Sequence, residues 1–389
     1  MRVAIDSWVL ASRLRHQGTY VYAQNMIAQF KKIAQTNPET SADTKFVLFA
    51  SKGDSNDARL IEPAAGFDLA QTAWLGHDRL WRLGGAGLAA ARVHADVLFA
   101  PTSSILPLGR VPVVCTIHDV TPIKMPSHSR KVRLWSRALL WSSARLSRAI
   151  ITDSEYSKWD LISVYGLPES KVSVVYLGFD KSNFNGDPPD PDSQTRLLQR
   201  LGIAKPYILH HGVVQPRKNL KRLIEAYRLM LSRNRNLDVE LVLAGPLGWE
   251  CDEIVTTANA TDERRGRVIL TGALSNLDLA LLVKGASLAV IPSLYEGFCL
   301  PMVEAMACGV PTVVSNASCL PEVSGDVLKY FDPGSLEDMA DCMEKTLEDQ
   351  ELMEALSIKG KQRAAFFNWQ RCATETLAIL KRNVSSPRS

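Results

Sequence analysis

Nowhere in this 389-residue chain do 18 apolar residues follow one another, so no segment reads as a transmembrane helix. A leader is not visible either. Arg2-Val3-Ala4-Ile5-Asp6 reads as a strand from the outset, and the expectation is a chain without a signal peptide. The seven cysteines follow neither metal-binding nor pairing spacings, which points to a reducing, cytoplasmic setting. Strong net charge is also missing, at +4 overall. No nucleic-acid motif accompanies the basic residues, which argues against nucleic acid as a partner.

What is present suits a soluble globular protein, with 46% hydrophobic and 22% charged residues. The length corresponds to about two domains. Charge is uneven: residues 1–180 carry 21 Lys+Arg against 15 Asp+Glu, and the remainder carries 24 against 26. A basic N-terminal half fits an anionic lipid surface or a phosphorylated acceptor.

Short apolar runs alternate with helical stretches, the pattern of parallel sheets with crossover helices. Expected strands in the first half are Val3–Ile5, Lys45–Ala50, Asp96–Ala100, Val111–Ile117, Ala149–Asp153 and Val172–Tyr176. Those in the second are Tyr207–His211, Val239–Ala244, Arg267–Leu270, Leu288–Pro292 and Pro311–Ser315. Asp180 to Ser193, rich in Asn, Gly, Pro and Asp, reads as the linker. The fold class is α/β, with Rossmann-like domains over 1–180 and 181–367. Ser385–Ser389 reads as a frayed end.

Two patterns are decoys. Gly85-x-Gly87-x-x-Ala90 has neither a preceding strand nor an acid about 20 residues on, as a dinucleotide fingerprint requires. It reads as a small-residue helix. Asp190-x-Asp192 sits in the Pro-rich linker rather than after a buried strand.

The densest chemistry lies in Tyr295-Glu296-Gly297-Phe298-Cys299-Leu300-Pro301-Met302-Val303-Glu304. A buried strand feeds a turn, Pro301 primes a helix and Gly309 ends it. Such a helix start aims N–H groups into the crevice at the carboxyl end of a sheet, where diphosphates bind. With both carboxylates facing that crevice, one can hold a ribose diol while the other reaches a sugar. Two incidental acids on a helix fit the same spacing.

This segment resembles the signature of the group 1, family-4 retaining glycosyltransferases, in which Glu, seven residues and Glu surround Gly-Phe-Gly-Leu-Pro. Cys299 stands where the family has Gly, so a positive φ there would be strained. Gly212-Val213-Val214-Gln215-Pro216-Arg217-Lys218-Asn219 matches the family's Gly-x-x-x-Pro-Arg-Lys-Asn. By itself it would suit either a diphosphate site or a solvated basic turn.

The resemblance implies a GT-B architecture of two Rossmann-like domains facing a central cleft, the first joined by the C-terminal helix 368–389. It implies that Arg217 and Lys218 neutralise the donor diphosphate. Glu296, with Gly297, Phe298, Cys299 and Leu300, would hold the sugar, and Glu304 the ribose. His118, at the end of an expected strand, would lie near the donor sugar. Gly18, Gly212, Gly245 and Leu274 would line the nucleotide. No metal and no cofactor are implied beyond the nucleotide-sugar substrate.

Overall similarity leans toward bacterial mannosyltransferases of surface-polysaccharide assembly, hence GDP-mannose as donor and a saccharide, lipid-linked or free, as acceptor. A UDP-sugar donor and a non-catalytic sugar-nucleotide-binding protein are the alternatives. Finally, Ser129–Ile150 carries six basic residues with Trp135 and Trp141. It fits a peripheral contact with the inner face of the plasma membrane, and equally an ordinary domain helix.

Overall fold

The computed structural model describes residues 1–11, 18–36, 43–50, 66–71, 80–103, 105–125, 130–260 and 266–384. Ser385–Ser389 therefore lies outside the described residues. The chain divides into two compact units, Met1–Gly178 with Asn368–Ser389, and Phe179–Phe367.

Among the described residues of the first unit, seven strands form one parallel sheet: β1 Arg2–Ile5, β2 Lys45–Ala50, β3 Phe67–Gln71, β4 Val97–Ala100, β5 Val113–Thr116, β6 Ala149–Thr152 and β7 Val172–Val174. Their order is β3-β2-β1-β4-β5-β6-β7. Strands such as Val97-Leu98-Phe99-Ala100 are buried along their whole length, because helices cover both faces of a parallel sheet. The second unit repeats the plan with six among its described residues: β8 Tyr207–His211, β9 Glu240–Ala244, β10 Val268–Gly272, β11 Leu288–Ile291, β12 Thr312–Ser315 and β13 Lys329–Phe331. Their order is β10-β9-β8-β11-β12-β13, again parallel throughout.

Each order reverses once, at β1/β4 and at β8/β11. Connections leave in opposite directions at these points and open a crevice beyond the carboxyl ends of the strands. The α/β reading of the sequence is borne out, with two edge strands missed. Among the described residues β3 and β13 each have one neighbour only. β13 is three residues long with Lys329 exposed, too short and polar to stand out as an apolar run. Several expected strands are also shorter. Pro292 cannot donate to a ladder, and β11 stops at Ile291.

Helices cover the sheets with periodic apolar faces. In Leu220–Arg233, Leu220, Leu223, Ile224, Tyr227 and Met230 are buried, the three-four spacing of one helical face. Helix Trp369–Arg382 buries Trp369, Cys372, Thr376 and Leu380. It packs on helix Gly18–Thr36, with Cys372 Sγ 3.6 Å from Met26 Sδ. Asp190 is a cap: its carboxylate accepts from Ser193 N at 2.9 Å, so a helix starts at Pro191 inside the stretch expected to be linker. The Gly85/Gly87 decoy falls in helix Ala86–Arg92 and the wider turn before it. A Cβ on Gly87 would come 2.0 Å from the Leu108 carbonyl oxygen, so close packing explains that glycine. Among the described residues no helix is long and apolar enough to cross a membrane.

Candidate active site

The reversal at β8/β11 brings the two sequence motifs of the second unit together. After β8 the backbone turns at Gly212, whose φ of 130° favours glycine. Gly245 follows β9 with φ 149°, and a Cβ there would fall 2.0 Å from the Gly212 carbonyl oxygen. The neighbouring backbones thus touch, and only glycine permits it. The chain then makes a tight turn over Pro216–Lys218 and enters helix Leu220–Arg233 through Asn219, in the left-handed region at φ 58°. Asn219 Nδ2 donates to the Pro333 carbonyl at 2.9 Å, which ties down this helix start.

Across the crevice, β11 runs into the loop of Glu296. Leu294 N donates to the Arg217 carbonyl at 2.9 Å, and an Arg217 terminal nitrogen donates to the Tyr295 carbonyl at 2.8 Å. The charges converge. Arg217 lies 2.6 Å from Glu296 Oε2, and Lys218 Nζ lies 2.6 Å from Glu296 Oε1. Lys218 and Glu296 are buried. Burial alone would raise the Glu296 pKa, but the two cations outweigh it and hold the carboxyl at about 2. Two cations and one anion leave this cluster with one net positive charge.

Helix Leu300–Ala307 follows, with Pro301 in its first turn. Cys299 precedes it at φ 76°, ψ 71°, a left-handed conformation that costs a side-chain-bearing residue about 1 kcal/mol. The strain expected from the replacement of glycine is present. Phe298 is buried edge-on against Phe367, ring centroids 5.3 Å apart. Gly297 is buried, while Leu300 and Leu274 are half-buried, Leu274 in the turn after β10.

Glu304 does not join the Arg217–Lys218–Glu296 cluster. Its Oε2 lies 3.0 Å from His211 Nε2. His211 ends β8, and its neighbour His210 reaches the Val290 carbonyl of β11 at 3.0 Å. Burial, then the nearby Lys218 charge, push the His210 pKa down to about 3, so it stays neutral. Neither histidine was picked out from the sequence. The available signal was a polar pair closing an otherwise apolar strand, directly before Gly212.

In the first unit, His118 follows β5 and Asp153 follows β6, both at the carboxyl edge. His118 Nδ1 lies 2.7 Å from Asp153 Oδ2, and Tyr22 packs edge-on against the imidazole at 4.8 Å between centroids. Burial disfavours the His118 cation, but the adjoining Asp153 carboxylate outweighs it and raises the pKa above 6.5. Asp153 was also missed. Asp119 has a local role, accepting from Thr121 N at 2.7 Å. Gly18 opens its helix with nothing within 4 Å of a would-be Cβ, so packing does not require glycine there. Among the described residues no three His, Cys, Asp or Glu side chains gather as a metal would need.

The family model of glycosyl transferases group 1 matches residues 194–363, and that of glycosyltransferase family 4 matches residues 48–183. The chain is 31% identical over 294 residues to O-antigen chain mannosyltransferase B of Escherichia coli, covering 75% of this chain and 76% of that protein. The chain belongs to the group 1, family-4 glycosyltransferases. This glycosyltransferase is also 35% identical over 178 residues to the serotype-specific mannosyltransferase WbdA of Escherichia coli, of which the match spans 22%. Its fold matches that of Anabaena HepE, solved with UDP-glucose, with a TM-score of 0.70, 21% identity, and coverage of 98% of this chain and 100% of that one. That likeness establishes the GT-B fold class.

Proposed function

We propose that this glycosyltransferase moves mannose from GDP-mannose to a saccharide acceptor, lipid-linked, in the assembly of a bacterial surface polysaccharide, with retention at the anomeric carbon and no metal. The Arg217–Lys218–Glu296 cluster beside the start of helix Leu300–Ala307 carries the reading. In it, the bond from the anomeric carbon to the diphosphate oxygen breaks, and the acceptor hydroxyl oxygen takes its place on the same face. The hydroxyl proton passes to the departing diphosphate. The protein's share is electrostatic: Arg217, Lys218 and the helix start oppose the growing phosphate charge. Glu296 fixes both cations and faces the sugar, and Glu304 takes the ribose. Mannose as the sugar is supported by the mannosyltransferase names of the relatives.

A UDP-sugar donor is the second reading, favoured by the UDP-glucose bound to HepE. Release of free nucleotide from a panel of GDP- and UDP-sugars, with and without a polyprenyl-linked saccharide, separates the two. Turnover of UDP-sugars alone would overturn the GDP-mannose assignment. Absence of turnover with every donor, though the nucleotides bind, would favour a non-catalytic binding protein.

The lipid part of the acceptor is supported by helix Arg130–Leu146. Leu134 and Trp141 lie on its outer side with Arg145, and Trp141 is 53% exposed. An exposed tryptophan beside an exposed arginine suits an anionic lipid surface. In this reading the enzyme works from the cytoplasmic side as a peripheral protein.

A further inference from the structure

His211 is almost wholly buried, and its Nε2 lies 3.0 Å from Glu304 Oε2. Its other ring nitrogen, Nδ1, is buried without a hydrogen-bond partner. The tautomer with the proton on Nε2 satisfies both facts best. It donates to the carboxylate and leaves only a bare lone pair unpaired, which is cheaper to bury than an N–H. A buried unpartnered polar atom is still a cost that an apolar side chain at this strand end would avoid. The histidine therefore does something that packing does not.

Its one polar side-chain partner among the described residues is Glu304, which stands in the second turn of helix Leu300–Ala307. A glutamate has three rotatable bonds and on its own would point many ways. We propose that His211 is a positioning residue, holding Oε2 of Glu304 so that the carboxylate presents Oε1 to the ribose diol of the donor nucleotide. This rests on the ribose role given to Glu304 above. The device spans β8 and the helix after β11, the two elements that flank the strand-order reversal. It sets the grip on the ribose without touching the nucleotide.

Calorimetric titration with GDP and UDP, each beside its 2′,3′-dideoxy counterpart, tests the proposal on the full-length protein. The readout is the ratio of ribo to dideoxy affinity for the tighter base. Wild type is expected to prefer the ribonucleotide by about tenfold or more, the value of hydrogen bonds to a fixed carboxylate. Glu304→Ala should erase the preference. His211→Phe, which keeps a ring but loses the donor, should bring the ratio near one while dideoxy affinity holds. His211→Gln, which can still donate, should restore most of it. Full preference retained in His211→Phe, but lost in Glu304→Ala, overturns the positioning role and leaves Glu304 on the ribose. Equal weakening of both ligands by His211→Phe makes the histidine a packing residue and also overturns it. Preference retained in Glu304→Ala removes the ribose reading and this proposal together. If His211→Phe does not fold, His211→Leu is read on the same ratio.

Discussion

Asp153 Oδ2 lies 2.7 Å from His118 Nδ1 at the carboxyl edge of one sheet, with Asp153 buried and His118 partly buried. The imidazole is pulled toward its cationic form by a carboxylate that the sequence places 35 positions away. Because the folded pKa is raised, the pairing stabilises fully below the unfolded value of 6.5 and is lost as pH rises through the folded one. Asp153→Asn should bring the His118 pKa down, below 6.5, because burial is then opposed mainly by Asp119. Proton-detected titration of the ring signals measures it, and an unmoved pKa would refute the pairing. The stability lost, about 2 kcal/mol, should be greater at pH 6 than at pH 9 in urea titrations.

Glu296 carries the opposite pH signature. Its carboxyl is held at about 2 against an ordinary 4.5, so its contribution is present above pH 4.5 and disappears as pH falls toward 2. Glu296→Gln should cost about 3 kcal/mol at pH 7, from the size of that shift. Urea midpoints of mutant and wild type should converge near pH 2. A constant gap from pH 7 to pH 2.5 would mean the ion pairs do not hold the turn.

Arg217→Ala and Lys218→Ala should each lower turnover about a hundredfold or more, as loss of a charge-stabilising donor does. Each also strips a partner from a buried carboxylate, which destabilises by itself, and losing both costs about 3–5 kcal/mol. The comparison is therefore Lys218→Met added to Glu296→Gln, which removes a charge of each sign, read against Glu296→Gln alone. Turnover in that folded double mutant near that of Glu296→Gln would contradict the assignment to the diphosphate.

Cys299→Gly should raise Tm while preserving turnover, since glycine accepts φ 76° without the strain of about 1 kcal/mol. Cys299→Val should do the reverse, because a β-branched side chain suffers most in that region. Differential scanning of the three proteins decides it. A drop in Tm for Cys299→Gly would show that the buried thiol packs better than the backbone strains.

Tryptophan emission should shift to the blue when acidic vesicles are added at low salt, and return when salt is raised. Each Lys or Arg near such a surface contributes about 1 kcal/mol, so several together give reversible attachment. Trp141→Ser with Arg145→Gln should weaken the response. Silence of the wild-type protein toward acidic vesicles would leave helix Arg130–Leu146 an ordinary domain helix.

Much of the fold was legible because parallel strands buried on both faces are continuous apolar runs, as in Leu288-Ala289-Val290-Ile291. β3 and β13 escaped because edge strands keep charged residues such as Asp68 and Lys329 and lack that run. Arg217, Lys218 and Glu296 were legible through their motifs, yet nothing local reveals that the adjacent cations meet a carboxylate 79 and 78 positions further on at 2.6 Å each. His211 and Asp153 were hidden for the same reason: each gains its meaning from a partner on another strand connection. Glu304 was expected to share the crevice with Glu296, and spacing alone could not show that a histidine takes one of its oxygens.

Helix Trp369–Arg382 completes the unit that begins with the chain's first strand, and a Cβ on Gly178 would strike Trp369 N at 2.2 Å. That close fit has a consequence for synthesis on the ribosome. Everything from Phe179 to Phe367 is translated between Gly178 and its packing partner, a wait of about 10–40 s at usual elongation rates. Throughout that wait Met26 lacks Cys372 and Tyr22 lacks Trp369, so an apolar face of the nascent chain stays open to holdases. The intervening unit is contiguous and can close as soon as it emerges. The domain made first is the last to be finished.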